Sequence, residues 1–349
     1  MQYKFEDIAI NSTAKKKPTE EDKDTYIGLE HLDSDCLYVT RWGADAAPTG
    51  EKLLMKKGDV LFGKRRAYQR KVGIAPFDGI FSAHGMVLRP NEEIIDKNFF
   101  PFFISSDQFM ERAVRISVGG LSPTINWKDL RVQEFTLPSI EDQRILADKL
   151  WAAYRLKESY KKLLTATQEM VKSQFIEMFK NDKMVPLGKF CSIEKGSTIT
   201  RNEVSPGDIP VVAGGQEPSC YHNVSNREAG MITVSASGAY AGFVNYWTCP
   251  IFASDCNTIS PKDKNATDTT FLFYGMKALQ KHIYGLQKGG AQPHVYGKDL
   301  QNLLFPLPTI DKQSSFSRIA QQADKSEFEL RKSIDAIDQV IKSLINDIK

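Results

Sequence analysis

The chain has 349 residues, of which 41% are hydrophobic and 26% charged, and its formal net charge is +3 at pH 7. This length exceeds one ordinary core and predicts two domains, and the composition is typical of a soluble globular protein. No apolar run approaches the roughly 20 residues that span a bilayer, and the first residues lack a signal-peptide pattern. We therefore expect a cytoplasmic protein with no membrane partner.

The five cysteines are scattered, odd in number and without a C-x-x-C pair. This spacing favours reduced thiols over a disulfide framework or a zinc site. They are Cys36, Cys191, Cys220, Cys249 and Cys256.

The first 140 residues contain short runs of β-branched and aromatic residues between Gly, Pro, Asn and Asp, such as "GDVLFGK", "GIFSAHGMVLRP" and "VQEFTLP". Such runs predict a β-rich domain with long loops over residues 1–140. Within it, "NFFPFFISSDQFMERAVRI" is predicted to form one helix on the β-rich body.

A basic segment lies in this first domain, with eight Lys or Arg residues between Lys52 and Lys71 against a single acid, Asp59. Long cations neutralise phosphates, and Arg and Gln make paired hydrogen bonds with guanine and adenine edges. The segment therefore favours a DNA contact, with a solvated basic face as the alternative. The candidate contacts are Lys64, Arg65, Arg66, Tyr68, Gln69, Arg70 and Lys71.

Gly119 and Gly120 open the next loop, where glycine permits a positive φ or a close approach to a phosphate backbone. The polar residues that follow are further candidate DNA contacts; a tight turn without a ligand is the alternative interpretation. These candidates are Ser122, Thr124 and Asn126.

A long helix is predicted over residues 141–181, because no Gly or Pro occurs for forty residues after Ser139. Ser139 and Asp142 form an S-x-x-D capping pattern at its start. Apolar or small residues recur in steps of four and three, with two polar interruptions, Lys157 and Gln174. They are Leu146, Leu150, Ala153, Tyr160, Leu164, Thr167, Val171 and Met178.

The chain then repeats itself. "GGLSPTINWKDLRVQEFTLPSIEDQ" from Gly119 and "GGAQPHVYGKDLQNLLFPLPTIDKQ" from Gly289 share 11 of 25 positions at an offset of 170 residues. A period this long indicates a duplicated domain and not a solenoid. The second β-rich domain is predicted over residues 182–309, with "AGMITVSASG", "GAYAGFVNYW", "NTISP" and "NLLFPLP" as strands. Its "DTTFLFYGMKALQKHIYGL" is predicted to form one helix.

The second copy differs in its loops. "TVSASGAYAGFV" corresponds to the basic segment, with Ala239-Tyr240 in line with Ala67-Tyr68, and it carries Ser in place of cations. If both loops meet DNA, they read different bases. The candidate contacts of this copy are Ser235, Ser237, Tyr240, Lys288, Gln292 and His294.

A second long helix is predicted over residues 310–349. Its apolar positions alternate by four and three over more than four heptads, with Glu327 as the one charged member, which is typical of a coiled coil. At 1.5 Å per residue each helix would be roughly 55–60 Å long. Two separate surface helices are the alternative. The seam residues are Phe316, Ala320, Ala323, Glu327, Leu330, Ile334, Ile337, Ile341, Leu344 and Ile348.

Catalytic patterns are missing from the sequence. It has no P-loop, no G-x-G-x-x-G turn and no H-x-x-x-H pair, and the "EEDKD" run from Glu20 to Asp24 is interpreted as a solvated loop. We therefore predict no catalytic residues, no cofactor and no metal.

Two β-rich variable domains, each with a Gly-containing loop that leads to L-P-x-I-x-x-Q and a long helix, resemble the specificity subunit of type I restriction–modification systems. "LPSIEDQRILADKL" and "LPTIDKQSSFSRIA" carry the resemblance, which covers essentially the whole chain. It implies an α+β protein with two β-rich target recognition domains in pseudo-twofold duplication, separated by two long antiparallel helices that form a coiled coil.

The resemblance also implies a role. Each target recognition domain would read one half of a bipartite asymmetric site in double-stranded DNA, and the helices would set the spacer between the halves. A non-catalytic subunit of this kind recruits two methyltransferase subunits and, through the complex, the restriction and translocase subunits. "LWAAYRLKESYKKLL" and "ADKSEFELRKSIDAI" differ in basic and aromatic character, so the two methyltransferase contacts would be unequal. The alternative is a two-domain protein-interaction scaffold that does not read DNA.

Overall fold

The computed structural model describes residues 1–346, so Ile348 of the predicted seam lies outside the described residues. Two compact units make up the chain. Unit 1 is Met1–Tyr160 together with the chain from Ser333, and unit 2 is Lys161–Lys332.

The strands of unit 1 are short, as the punctuated sequence predicts. In chain order they are β1 (Gln2–Lys4), β2 (Ala9–Ser12), β3 (Lys15–Lys16), β4 (Tyr26–Ile27), β5 (Lys52–Met55), β6 (Val60–Phe62), β7 (Val72–Ile74), β8 (Gly79–Phe81), β9 (Met86–Pro90) and β10 (Glu134–Thr136).

These strands form small sheets in the orders β1-β10, β2-β9-β6-β7 and β3-β5-β8-β4. Pairing is antiparallel except between β4 and β8. The runs "GDVLFGK", "GIFSAHGMVLRP" and "VQEFTLP" lie in β6, β8 with β9, and β10, so these strand predictions are confirmed.

The helical segment of unit 1 is broken where one helix is predicted. Ser106 has extended backbone, and its hydroxyl accepts a hydrogen bond from the Phe109 amide, so it ends one helix and caps the next. The helices are α1 (Phe5–Ile8), α2 (Phe100–Ser105), α3 (Asp107–Arg115), α4 (Trp127–Leu130) and α5 (Ile140–Phe179), which continues into unit 2.

Unit 2 repeats this organisation. Its strands are β11 (Met184–Pro186), β12 (Cys191–Lys195), β13 (Ile209–Val212), β14 (Cys220–His222), β15 (Met231–Ser235), β16 (Val244–Trp247), β17 (Phe252–Ala253), β18 (Cys256–Pro261) and β19 (Leu304–Pro306).

The sheet orders β11-β19 and β12-β18-β15-β16 match β1-β10 and β2-β9-β6-β7 strand for strand. A third sheet, β14-β13-β17, contains the parallel pair β13-β17. The sequence repeat is therefore a repeat of topology, and the four strand runs quoted for the second copy are confirmed.

The helical segment of unit 2 is also broken where one helix is predicted, here at Leu279, whose backbone leaves the helical region. The helices are α6 (Leu187–Phe190), α7 (Thr269–Ala278), α8 (Gln280–Tyr284), α9 (Gly297–Gln301) and α10 (Ile310–Asn346), which continues into unit 1.

The glutamine of the repeated L-P-x-I-x-x-Q motif is buried at the start of each long helix, where its side chain makes three hydrogen bonds, here called the glutamine clamp. The Gln143 side chain is fully buried; its amide donates to the Ile94 and Pro138 carbonyls, and its oxygen accepts from the Asp96 amide. Gln313 repeats all three contacts in unit 2, with Ala266, Pro308 and Asp268. A buried amide must be satisfied in this way, so the residue ties each helix to its β-rich body.

The start of α5 also follows the sequence prediction. The Asp142 amide donates to the Ser139 hydroxyl at 3.2 Å, as the S-x-x-D pattern predicts for a helix N-cap.

The two long helices pack antiparallel. In unit 1 the first half of α5 lies against the end of α10, where Leu150 and Tyr154 share a buried cluster with Ile341 and Ile345. Lys157, a predicted interruption of the seam, is buried and forms an ion pair with Asp338 of α10. The polar residue that interrupts the apolar seam of α5 is therefore paired with an opposite charge on α10.

In unit 2 the second half of α5 lies against the start of α10. Val171 and Phe175 share a buried cluster with Phe316, and the Phe175 and Phe316 ring centroids are 5.4 Å apart. Gln168 donates to Glu327 at 2.9 Å. In the described range every predicted α10 seam residue is buried or half-buried, whereas Gln174 of α5 is exposed. The antiparallel pair is confirmed, and separate surface helices are excluded.

The "EEDKD" run is more ordered than a solvated loop. It lies in a 3-10 turn, Glu20–Thr25, whose Asp22 accepts from the Thr19 amide at 2.7 Å and from Lys16 Nζ at 2.9 Å. These contacts lower the pKa of the Asp22 carboxyl, the Thr19 amide most. The acidic run thus has a structural role.

Candidate nucleic-acid interface

The basic segment of unit 1 lies directly against the first double-glycine loop. Residues 64–71, here called the arginine turn, join residues 118–125 through backbone hydrogen bonds. The Arg66 amide donates to the Pro123 carbonyl at 2.7 Å, and the Ile125 amide donates to the Lys64 carbonyl at 2.9 Å. Within this junction, Arg65 and Thr124 form an isolated antiparallel β-bridge.

Unit 2 builds the same junction between residues 236–243, here called the glycine turn, and residues 288–295. The Gly238 amide donates to the Pro293 carbonyl at 3.0 Å, and the Val295 amide donates to the Ala236 carbonyl at 2.9 Å. Ser237 and His294 form the corresponding bridge. The loops correspond at an offset of 170 residues and the turns at 172, so the duplication preserves a contact that neither segment alone reveals.

This correspondence places Ala236, Ser237 and Gly238 at the positions of Lys64, Arg65 and Arg66. Ser235 corresponds to Gly63 and differs from the other candidates. It is buried at the end of β15, and its hydroxyl donates to the Gly215 carbonyl at 3.2 Å. Ser235 is therefore not presented to a ligand.

The first glycine of each pair has the positive φ that the sequence predicts. Gly119 has a φ of 116° and Gly289 a φ of 95°, and each lies in a loop closed by a residue pair, Val118 with Thr124 and Lys288 with His294. A side chain at Gly289 would place its Cβ 2.9 Å from the Gln292 carbonyl oxygen. The first glycine of each pair is needed for the turn.

The exposed cations of the arginine turn are Arg65 and Arg66, and Tyr68 beside them is 55% exposed. Lys64 is half-buried, and burial, followed by repulsion from Lys15, lowers the pKa of its ammonium. Sequence reasoning did not select Lys15; its signal was the "AKKK" run from Ala14. Together these side chains make a positive surface at the junction.

The last residues of the arginine turn are engaged within the protein. Arg70 forms ion pairs with Asp35 and Asp107, both at 2.9 Å, and Lys71 Nζ donates to the Leu29 carbonyl at 2.6 Å. Gln69 is half-buried. Of the seven candidates in this turn, these three are the least available to a partner.

The first double-glycine loop adds polar and apolar groups beside the cations. Ser122 Oγ accepts from Arg66 Nε at 3.2 Å, and Thr124 Oγ1 donates to the Ser122 carbonyl at 3.2 Å. Asn126 is exposed at the start of α4. Leu121, at the tip, is 97% exposed, and sequence reasoning did not select it.

Unit 2 has fewer available charges at its junction. Lys288 is bound to both carboxylate oxygens of Asp299 at 2.8 Å, and the Ser237 hydroxyl donates to Asp255. Tyr240 is 47% exposed, and Gln292 is exposed. Uncharged and aromatic groups therefore dominate this surface.

An aromatic stack lies beside the second double-glycine loop. The His294 and Tyr296 rings are 6.0 Å apart and nearly parallel, at 18°, and Lys298 Nζ lies 5.7 Å from the Tyr296 centroid. Tyr296 and Lys298 were not selected from the sequence. Their signal was their position in the repeated stretch, where Lys298 matches Lys128.

The described residues contain no cluster of His, Cys, Asp or Glu able to hold a metal ion, and no helix among them is long and apolar enough to cross a membrane. The cysteines are free thiols. Burial raises the pKa of Cys191 and of Cys256 to about 12, which makes both thiols unreactive near neutral pH.

Two copies of one β-rich fold, each presenting a different turn beside a shared loop, define a duplicated recognition protein. The type I restriction modification DNA specificity domain matches residues 3–166 and again 180–339. The chain belongs to this family and carries the domain twice.

Two relatives come from Methanocaldococcus jannaschii. The putative type I restriction enzyme MjaX specificity subunit is 24% identical over 336 residues, which is 83% of this chain and 77% of the relative. The type I restriction enzyme MjaVIII specificity subunit is 25% identical over 111 residues, which is 32% of this chain. The match spans only 26% of that relative's length.

Solved structures share the fold. The type I restriction-modification S subunit from M. genitalium aligns with a TM-score of 0.62 and 15% identity, covering 100% of this chain and 95% of its own. A chain from a study of complex assembly and conformational transition of the type I R-M system aligns with a TM-score of 0.59 and 18% identity, covering 99% and 96%.

The family makes this chain a DNA-binding specificity subunit of the type I restriction–modification class, which is non-catalytic. This favours DNA recognition over the scaffold alternative.

Proposed function

We propose that the chain selects a bipartite asymmetric DNA site, with unit 1 reading one half and unit 2 the other. The observation that carries this proposal is the junction between turn and double-glycine loop. Its backbone hydrogen bonds recur in both units, but the cations of the unit 1 turn are replaced by small uncharged residues in unit 2, although the exposed tyrosine is kept. A shared frame with different side chains suits two readers of two different sequences.

The side chains proposed to contact DNA are exposed or half-buried. In unit 1 they are Lys64, Arg65, Arg66, Tyr68, Ser122, Thr124 and Asn126, with Lys15 and Leu121 added. In unit 2 they are Ser237, Tyr240, Gln292 and His294, with Tyr296 and Lys298 added. The two recognition domains are residues 1–140 and 182–309, joined to helices 141–181 and 310–349.

The helix pair is proposed to fix the number of unread base pairs between the half-sites. Two domains that read one face of B-DNA must lie about one helical turn apart, roughly 34 Å. This role is supported by a polar contact between the two helices in each unit, Lys157 with Asp338 in unit 1 and Gln168 with Glu327 in unit 2. A flexible linker would not define a gap.

The same helices are proposed to hold two methyltransferase subunits and, through them, the restriction and translocase subunits. Leu156, Leu163 and Met170 are 45%, 52% and 45% exposed at seven-residue intervals, so they share one face of α5. A solved relative comes from work on complex assembly of such a system. The five free thiols are consistent with a cytoplasmic complex.

The methylated motif tests this function. The complex formed with its methyltransferase subunits is expected to methylate a split, asymmetric motif. When residues 1–138 are exchanged for the same segment of another family member, one half-site should change, while the other half-site and the gap stay the same, because unit 2 and both helices are retained. Mapping methylated bases by sequencing gives the readout.

A change in both half-sites would contradict modular reading, and a change in the gap would contradict the role of the helices. The scaffold alternative predicts no sequence-specific footprint on DNA when the methyltransferase subunits are present. The unexchanged complex is the control.

A further inference from the structure

The three non-glycine residues with positive φ among residues 1–346 meet at one place in unit 1. They are Asp35, Arg66 and Arg70, with φ values of 51°, 56° and 52°. Arg66 and Arg70 begin and end the 3-10 turn Ala67–Gln69. The Asp35 amide donates to the Arg70 carbonyl at 3.4 Å. The left-handed conformation is unfavourable for residues with a side chain, so such clustering points to a function of those side chains.

Unit 2 shows that this turn can be made without that strain. Gly238 and Gly242 occupy the positions of Arg66 and Arg70, with φ values of 83° and 90°. The hydrogen bond from the Gln69 amide to the Arg66 carbonyl recurs from Ala241 to Gly238. Glycine therefore fits both positions, and the arginines are there for what their side chains contact.

The Arg70 guanidinium is fully engaged inside unit 1. Its Nε contacts Asp35 at 2.9 Å, its Nη1 contacts Asp107 at 2.9 Å, and its Nη2 donates to the Ser105 carbonyl at 2.7 Å. Asp107 is held in turn by Asn346, which exchanges two hydrogen bonds with it at 2.9 and 2.8 Å. A chain of contacts thus runs from the arginine turn through α3 to the end of α10.

Arg66 has the opposite environment. Its side chain is exposed, and its Nε donates to Ser122 Oγ, which leaves the two Nη groups directed away from the loop. Its two Nη groups have no acceptor in the described part of the chain. Two parallel N–H groups on a planar guanidinium match the O6 and N7 acceptors of guanine in the major groove.

Building on the proposed function, we propose that the two arginines have separate roles. Arg66 reads a guanine in the half-site of unit 1. Arg70 does not touch DNA; it is a positioning residue that fastens the turn to α3 and the end of α10, so that Arg66 is presented at a fixed place.

Glycine substitutions, which copy unit 2, separate the two roles. In the complex with methyltransferase subunits, Arg66→Gly should relax one guanine position of one half-site, with discrimination there reduced about 5- to 150-fold. Its melting temperature should stay close to wild type, because the variant loses one exposed hydrogen bond and a strained backbone. Arg66→Lys should also lose the guanine preference, because an ammonium has no paired donors.

Arg70→Gly should instead weaken discrimination at every position of the same half-site, leave the other half-site intact and lower the melting temperature. Asp107→Asn, which keeps Arg70, should show a milder form of the same pattern. Mapping the methylated motif for each variant gives the readout. A purely structural Arg70 would lower the melting temperature without changing the motif.

Single-position relaxation in Arg70→Gly, or an unchanged motif in Arg66→Gly, would overturn the assignment while leaving a bipartite motif in place. Failure of the proposed function looks different, because the wild-type complex would then methylate no bipartite motif at all.

Discussion

Units 1 and 2 use one backbone junction for two different surfaces. In unit 1 the junction presents Arg65 and Arg66 beside a half-buried Lys64, whereas in unit 2 the same positions are Ser237, Gly238 and Ala236. The β-strand orders and the buried Gln143 and Gln313 clamps are unchanged. Duplication has therefore kept the groups that hold the loops and changed the charge of the surface beside them.

The difference also separates two sources of affinity. Cationic side chains bind DNA through counterion release, and this contribution to affinity depends strongly on salt concentration. The contribution of aromatic rings that stack on bases depends on salt much less. Unit 1 has the cations, and unit 2 has the His294–Tyr296 stack with Lys298 over the Tyr296 ring. We expect the salt dependence of DNA binding to come mainly from unit 1.

The largest expected effect tests this division. Replacing Lys64, Arg65 and Arg66 together by Gln should reduce the magnitude of the negative slope of log K against log salt by about 2 to 3 and weaken binding on the order of 100-fold at 0.15 M salt. Lys288→Gln in unit 2 is the matched control, because Asp299 already neutralises that lysine. Titration of the complex with DNA at several salt concentrations gives both slopes. Equal slope changes for the two variants would refute the comparison.

The local and periodic features of the fold were predicted well from the sequence. The double glycines, the S-x-x-D cap and the heptad seam are local or periodic patterns, and each follows from backbone geometry that any chain obeys. Ser106 and Leu279 were missed because a break in an apolar helical segment depends on one backbone angle, which the surrounding apolar pattern does not reveal.

The sequence was less informative about which loop side chains are available. Arg70 looks like its neighbours in "GKRRAYQRK", and only its partners 35 and 37 residues away, Asp35 and Asp107, show that it is engaged. Ser235 looks like Ser237, but Ser235 is buried at the end of β15, whereas Ser237 is half-buried in the turn that follows. Which loop side chains are available is set by contacts between residues that are distant in the sequence, and a local sequence pattern does not show those contacts.

The polar contact between the two long helices also differs between unit 1 and unit 2, and stability measurements can test this difference. In unit 1 the buried Lys157 pairs with Asp338, whose side chain is 45% exposed. Asp338→Asn leaves the ammonium poorly compensated, so we expect a loss of about 2 kcal/mol in the free energy of unfolding. In unit 2 Glu327 is half-buried, but its partner Gln168 is exposed and uncharged, so Glu327→Gln leaves no buried charge behind and should cost less than about 1 kcal/mol.

Chemical denaturation of both variants measures the difference. The double variant Lys157→Met with Asp338→Asn should recover most of the loss, because it removes the buried charge as well as its partner. Equal losses in Asp338→Asn and Glu327→Gln would show that burial of Lys157 does not set the strength of this contact.

The smallest effect is expected for Arg66→Gly, which is compared with glycine substitutions in the corresponding turn of unit 2. Gly242→Ala should lower the free energy of unfolding by about 1–2 kcal/mol, because its φ is 90° and a Cβ would lie 3.2 Å from the Tyr284 ring. Gly238→Ala has open space around its Cβ, so only the φ of 83° opposes it, and a loss of about 1 kcal/mol is expected.

Arg66→Gly at the position of unit 1 that corresponds to Gly238 should change the free energy of unfolding by no more than about 0.5 kcal/mol, because relief of the left-handed backbone offsets the greater freedom of the unfolded chain. If instead Arg66→Gly destabilises unit 1 as much as Gly242→Ala destabilises unit 2, then the Arg66 side chain stabilises the fold and is not held in a strained conformation in order to reach DNA.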